Sequence, residues 1–217
     1  MAADTPEPVR RLVAWTKPDP IGAEVAVVTL ERDRLSAVGT AIGSDPEPYR
    51  LDYELTTGAG FVTRLVRVSA TGEGWTRNLE LRHDGRGNWS AETAVTADAP
   101  LAEPGGDVSQ FTGAIDPDLG LSPLFNTMPV LRHRLLEDGS RADDFLMVWI
   151  SVPNLQLHLS PQRYTHVREA GEMPAVVLFE SVGEGEDFRQ EIQFDADGLV
   201  VDYPQIATRI RPAEVNA

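Results

Sequence analysis

The chain has 217 residues, with 19 Lys plus Arg against 34 Asp plus Glu and a formal net charge of −15, so its general field repels phosphate backbones and anionic lipid surfaces and argues against a nucleic-acid partner. It holds no cysteine, which excludes disulfides, thiolate metal sites and thiol catalysis and fits a reducing compartment. No apolar run approaches the roughly 20 residues a spanning helix needs, and Met1 to Val13 lacks the cationic start and apolar run of an export signal, so a cytoplasmic location is expected.

The length suits one all-β domain over residues 1–217, with an ordered core from about 11 to 210 and loose ends. From Tyr49 to Thr56 the sequence alternates. Tyr49, Leu51, Tyr53 and Leu55 fall on one face and Arg50, Asp52 and Glu54 on the other, which is the two-residue period of a strand. Thr57-Gly58 turns the chain. Gly58-Ala59-Gly60 reads as a hairpin connection, because it lacks the spacing and following helix of a phosphate-binding loop. Looser alternation from Phe61 to Val68 and a clean run at Trp75, Arg77, Leu79 and Leu81 predict further strands. Asp84-Gly85 marks the next turn, and Trp89, opening the strand after it, belongs in the core. Thr96 to Gly106, rich in Ala, Pro, Glu and Gly, is a surface loop.

Ser122 to Met128 predicts a short helix, capped by Ser122, with Pro123 at its first position and Pro129 as its stop. Leu155, Leu157 and Leu159 alternate as a strand, and Tyr203 to Ile210 reads as a second short helix. Turn signals at Asp138-Gly139 and Asp197-Gly198, with proline joints at Pro46, Pro48, Pro153 and Pro174, separate the remaining segments. The whole is mainly β, a many-stranded antiparallel meander around one or two short helices.

Chemistry-bearing residues concentrate between Gly113 and Leu135, where polar groups are embedded in apolar sequence. Asp116 and Asp118 lie two apart around Pro117, spaced to face one ligand or to cap a turn before Ser122. Asn126 and Thr127 sit inside the short helix, where such side chains compete with the backbone unless they have other partners. Arg132 and Arg134 share a strand face. Turned inward they need carboxylates, and Asp116 and Asp118 are the nearest. Gln162 and Tyr164, one period apart after Pro161, point to one side and toward this region.

A network of this kind can bind sugar hydroxyls, position water in a hydrolase, or only fix the fold. Two carboxylates are the minimum for glycosidase chemistry, at a separation of roughly 5 to 9 Å that spacing alone does not give. The histidines His83, His133, His158 and His166 are scattered and read as packed or rim residues rather than metal ligands. His133 and His158 alternate with apolar neighbours on strands, and His158 and His166 can meet across a hairpin. No nucleophile elbow and no His-Glu-x-x-His motif occurs.

In order along the chain stand Gly87-Asn88-Trp89, Asp116-Pro117-Asp118-Leu119, the run from Ser122 to Pro129, Gln162-Arg163-Tyr164-Thr165, and the run from Asp197 to Pro204. This ordered set resembles the bacterial "putative glycolipid-binding" family from about Trp15 to Arg209, with Glu24, Gly39, Tyr49, Tyr53 and Arg64 also in place. Two departures stand out: Phe125 where the family usually has Thr, and Leu131-Arg132-His133-Arg134 where it has a tighter Arg-Arg pair. The resemblance implies a spiral β-roll or open barrel of many strands around central helices, in outline like carriers that ferry lipoproteins, and no cofactor. It also implies non-catalytic binding of a glycolipid or other amphipathic small molecule, with Asp116, Asp118, Asn126, Thr127, Arg132, Arg134, Gln162 and Tyr164 as the candidate ligand-binding set. The residues themselves leave open a glycoconjugate hydrolase using Asp116 and Asp118, or a structural protein with no small ligand.

Overall fold

The computed structural model describes residues 7–96, 101–137, 142–169, 171, 173–183 and 188–211. Alternating apolar and polar residues make strands that bury one face. The first seven, β1 (Val9–Lys17), β2 (Gly22–Leu30), β3 (Leu35–Gly43), β4 (Tyr49–Thr57), β5 (Thr63–Gly72), β6 (Trp75–His83) and β7 (Trp89–Thr96), form an antiparallel meander. The second half adds β8 (Asp116–Leu119), the helix α1 (Thr127–Arg132), β9 (Asp143–Ile150), β10 (Leu157–Arg168), β11 (Ala175–Ser181), β12 (Arg189–Phe194), β13 (Val200–Tyr203) and β14 (Ala207–Arg209). All fourteen strands share one open sheet, with β7 and β8 at its edges and the two halves joined where β1 pairs with β14. Strand β8 runs parallel to β9. This is the mainly-β open roll that the patterning and the resemblance led us to expect.

A 3₁₀ turn (Pro123–Asn126) runs directly into α1, and Leu124, Phe125, Met128 and Val130 of this segment are fully buried. The ring of Phe125 meets that of Tyr53 edge to face with centroids 5.5 Å apart. Two apolar clusters fill the interior. One is built on the first meander, including Trp15, Leu55, Val66 and Leu81, the other on the second half, including Phe145, Tyr164, Phe179 and Phe194, and Ile206 packs against both. Each such side chain contributes roughly 1.5–3 kcal/mol on burial. A one-residue slip would expose a whole strand's set, so this inner face fixes the register. Trp89 is core as expected, 7% exposed, its Nε1 donating to the Ala114 carbonyl at 2.8 Å. Arg77, in phase with the buried Trp75 and Leu79, also points inward and donates to the carbonyls of Leu101 and Ala102.

Turn residues Gly58, Gly85 and Gly198 and the prolines Pro46, Pro48, Pro153 and Pro174 all fall between strands, as expected. Asp138-Gly139 and residues 97–100 of the expected surface loop lie outside the described residues. Pro129 does not stop the helix. It is the third residue of α1, inside the first turn, where its missing N–H would have had no intrahelical partner, and the helix runs on to Arg132. Ser122 makes no side-chain capping bond there.

Tyr203 to Ile210 is not a helix but strand, turn and strand. Tyr203 pairs with Ala207, Asp202 with Thr208, and β14 with β1, so ladder bonds to the far half of the sheet override the local preference. Phe61 lies in a 3₁₀ turn at φ 56°, and β5 begins only at Thr63. Leu155 sits in a turn at φ 59° and Leu159 is 41% exposed, so of that alternating trio only Leu157 marks a buried strand position. His133 follows α1 instead of lying on a strand, and His158 and His166 are eight residues apart on the same strand β10, too far along it to meet. Among the described residues no helix is long and apolar enough to cross a membrane.

Candidate functional site

Strand β8 pairs with β9, placing Asp118 opposite Trp149, and β9 pairs with β10, placing Phe145 opposite Gln162. Asp118 thus stands in a row with Trp149 and His158, four residues along β10 from Gln162, and the two side chains still meet across 44 residues of sequence. Gln162 Nε2 donates to Asp118 Oδ2 at 2.6 Å and lies 3.2 Å from Ser160 Oγ. Two residues on, and so on the same side of β10, Tyr164 donates its hydroxyl to Gln162 Oε1 at 3.2 Å. Asn126, at the junction of the 3₁₀ turn and α1, donates Nδ2 to that hydroxyl at 2.8 Å. Four of the expected residues thus form one hydrogen-bonded chain: Asp118, Gln162, Tyr164 and Asn126. Burial pushes the Asp118 carboxyl up from 3.8 to about 6, against the opposing effect of its bond from Gln162. Burial, reinforced by the charge of Asp118, also holds the Tyr164 hydroxyl well above its usual range.

The other expected residues divide differently. Asp116, fully buried, is gripped by both terminal nitrogens of Arg132, with Nη1 at 3.2 Å from Oδ1 and Nη2 on Oδ2, and Thr63 Oγ1 lies 3.4 Å from Oδ1. Arg132 belongs to α1, so it shares no strand face with Arg134, and its carboxylate is Asp116 and not Asp118. Arg134 follows the helix at φ 54°, is mostly exposed, and pairs with Glu137 at 2.7 Å. It joins neither aspartate. Thr127 is fully buried, and its hydroxyl finds no hydrogen-bond partner among the described residues, so it stands outside both networks.

A third buried polar group was not anticipated. Glu24, 2% exposed, has Lys17 Nζ 2.8 Å from Oε2, while Oε1 accepts from Tyr53 at 2.8 Å and from Ser122 at 2.6 Å. Gly39 makes this possible, because any Cβ there would sit 2.2 Å from Tyr53 Cζ. The signal was present in the sequence: Lys17 is in phase with Val13 and Trp15, and Glu24 with Ala26 and Val28, so both charges had to face inward and find partners.

Between β8, β9, β10 and β11 opens a pocket of about 600 Å³. Asp118, Asn126 and Gln162 line its polar part with Ser122 and Ser160, while Leu119, Leu159, Phe179, Phe188 and Tyr203 supply apolar wall. Asp116, Thr127, Arg132, Arg134 and Tyr164 are behind or away from it. A second groove, about 530 Å³, runs over the outer face of β4 to β7, where Arg67 already bridges Glu54 and Glu80. Its one arginine is already shared between two of its carboxylates in solvent, so it offers a ligand little. Among the described residues no three carboxylate or imidazole side chains converge as a metal site.

The family model described as "Putative glycolipid-binding" matches residues 12–209. The crystal structure of a DUF1089 family protein from Pseudomonas aeruginosa is similar with a TM-score of 0.65 at 29% sequence identity, covering 86% of this chain and 92% of that one. No curated protein matches the sequence.

Proposed function

The chain belongs to the "Putative glycolipid-binding" family, and from that premise we propose that it is a non-catalytic binding protein whose 600 Å³ pocket takes an amphipathic molecule such as a glycolipid. The observation that carries this reading is the pocket's division into two chemistries: a carboxylate, an Asn and a Gln at one part, and Leu, Phe and Tyr side chains at another. Concave, largely apolar sites with a few convergent polar groups are the usual form of small-molecule sites, the polar groups orienting and the walls providing contact area.

The disposition of the carboxylates favours binding over hydrolysis. A hydrolase using Asp116 and Asp118 needs both groups at the reacting bond, yet Asp116 is neutralised by Arg132 and does not line the pocket, and the other carboxylate on the wall, Asp45, is an exposed residue of the β3–β4 connection. The test is a titration with a fluorescent fatty-acyl probe. One saturable site is expected, lost in Ser181→Trp, whose indole would fill the pocket from β11. A probe that binds wild type and Ser181→Trp equally refutes the assignment.

A further inference from the structure

The direction of every hydrogen bond running out from Asp118 is set by the carboxylate. When ionised, as it is for the most part at neutral pH, it only accepts, so Gln162 presents Nε2 to it and keeps Oε1 for Tyr164. Tyr164 has one hydroxyl proton, donated to Gln162, and must therefore accept from Asn126 Nδ2. Two acceptors remain open at the pocket end of this chain. Among the described residues neither Asp118 Oδ1 nor Asn126 Oδ1 receives a hydrogen bond from protein, although Asn126 is only 3% exposed, and both residues line the pocket.

The pocket wall carries a second carboxylate, Asp45, and no Lys, Arg or His among the described residues. The interior cations are engaged elsewhere, Lys17 with Glu24, Arg132 with Asp116, and Arg77 with the carbonyls of Leu101 and Ala102. Outside the described residues the sequence holds a single basic side chain, Arg141.

We infer that the pocket selects a head group rich in hydroxyl donors and free of anionic charge, a neutral sugar, and rejects amphiphiles headed by phosphate, sulfate or carboxylate. This rests on the reading of the pocket as an amphiphile site. Sugar hydroxyls donate to the two open oxygens, completing a network that the protein leaves unfinished. A phosphate brings no donor for these two oxygens and is repelled by Asp118 and Asp45, with no cation on the wall to offset them. A quaternary ammonium head would be drawn to Asp118 and Asp45 but has no N–H to donate to Asn126 Oδ1, whereas Ser151, Ser160 and Ser181, spread over the wall, suit a head with many hydroxyls better than one compact charge.

The experiment compares three probes with the same twelve-carbon tail: dodecyl maltoside, dodecyl phosphate and dodecyltrimethylammonium. Each is titrated calorimetrically below its micelle threshold into the full chain at about 0.5 M salt, where the protein's long-range field is screened. Dodecyl maltoside is expected to bind at least roughly tenfold more tightly than dodecyl phosphate, and Asp118→Asn, with its fold checked by circular dichroism, to shrink that ratio several-fold. Equal or tighter binding of the phosphate or the ammonium probe, or a ratio untouched by Asp118→Asn, overturns the head-group assignment while the amphiphile site stands. Failure of all three to bind removes the amphiphile site and this inference with it.

Discussion

Replacing Asp118 by Asn isolates the cost of holding one carboxylate in the pocket wall. The rise from 3.8 to about 6, at about 1.36 kcal/mol per pH unit, corresponds to about 3 kcal/mol. Asp118 keeps partial contact with the pocket opening, so about 1–2 kcal/mol is the working figure. The sign follows from which state releases its proton first. Because the folded value is raised, the unfolded chain ionises earlier as pH climbs from about 4 to 6, stability falls through that window, and the penalty is fully present above it. Asparagine cannot ionise, and its oxygen still accepts the Gln162 bond. Asp118→Asn is therefore expected to be about 1–2 kcal/mol more stable than wild type at pH 7.5 and to match it near pH 3, below both pKa values. Urea denaturation of both proteins across that range gives the difference directly, since all other titrating groups are common to the two. A pH-independent difference, or an Asn variant less stable at pH 7.5, would refute the argument. Stability gained by removing a wall residue is the usual mark of a group retained for binding and not for folding.

Arg132→Met leaves Asp116 buried without its counter-charge and should cost about 3–5 kcal/mol, with much of that recovered in the Asp116→Asn, Arg132→Met double variant. A coupling energy below about 0.3 kcal/mol in that cycle would mean that the pair does not meet in solution. Tyr164→Phe removes the centre of the Asn126–Tyr164–Gln162 chain and should lower stability by about 1–2 kcal/mol in denaturant melts, an unchanged midpoint being the contrary result. Trp89→Ala, which empties a core position and orphans the Ala114 carbonyl, should cost roughly 3–5 kcal/mol, and a loss under about 1 kcal/mol would show the ring to be dispensable.

Local pattern located β4, β5, β6 and the start of β7, because a half-buried strand writes its period into consecutive residues, as Tyr49 to Thr56 and Trp75 to Leu81 do. It failed where the deciding partner is distant. Ladder bonds to β1 and β13 hold Ala207–Arg209 as a strand, and nothing between Tyr203 and Ile210 announces them. Proline chemistry misled in one place: Pro129 read as a stop, but the helix starts at Thr127, which makes Pro129 a first-turn residue. At the site, the two-residue spacing of Gln162 and Tyr164 was legible and their common side follows from it. That Arg132 needs Asp116 or Asp118, and that Gln162 points toward them, was legible too; which aspartate each meets was not, because it depends on α1 continuing to Arg132 and on how β8 lies against β9 and β10. The Lys17–Glu24 pair shows the opposite fault. Phase placed both charges inside and the resemblance singled out Glu24, Gly39 and Tyr53, yet neither gave these residues a role.

The central claim, that the pocket beside Asp118 holds an amphiphile, is tested most directly by native mass spectrometry of the protein purified from its own cells without detergent. One tightly held lipid is expected, seen as a single mass increment on the folded protein, released on unfolding and extractable into organic solvent, with a sugar in its head group. Protein that flies at its bare mass from gentle purification, and gains no increment when incubated with its own cells' lipid extract, would contradict the account.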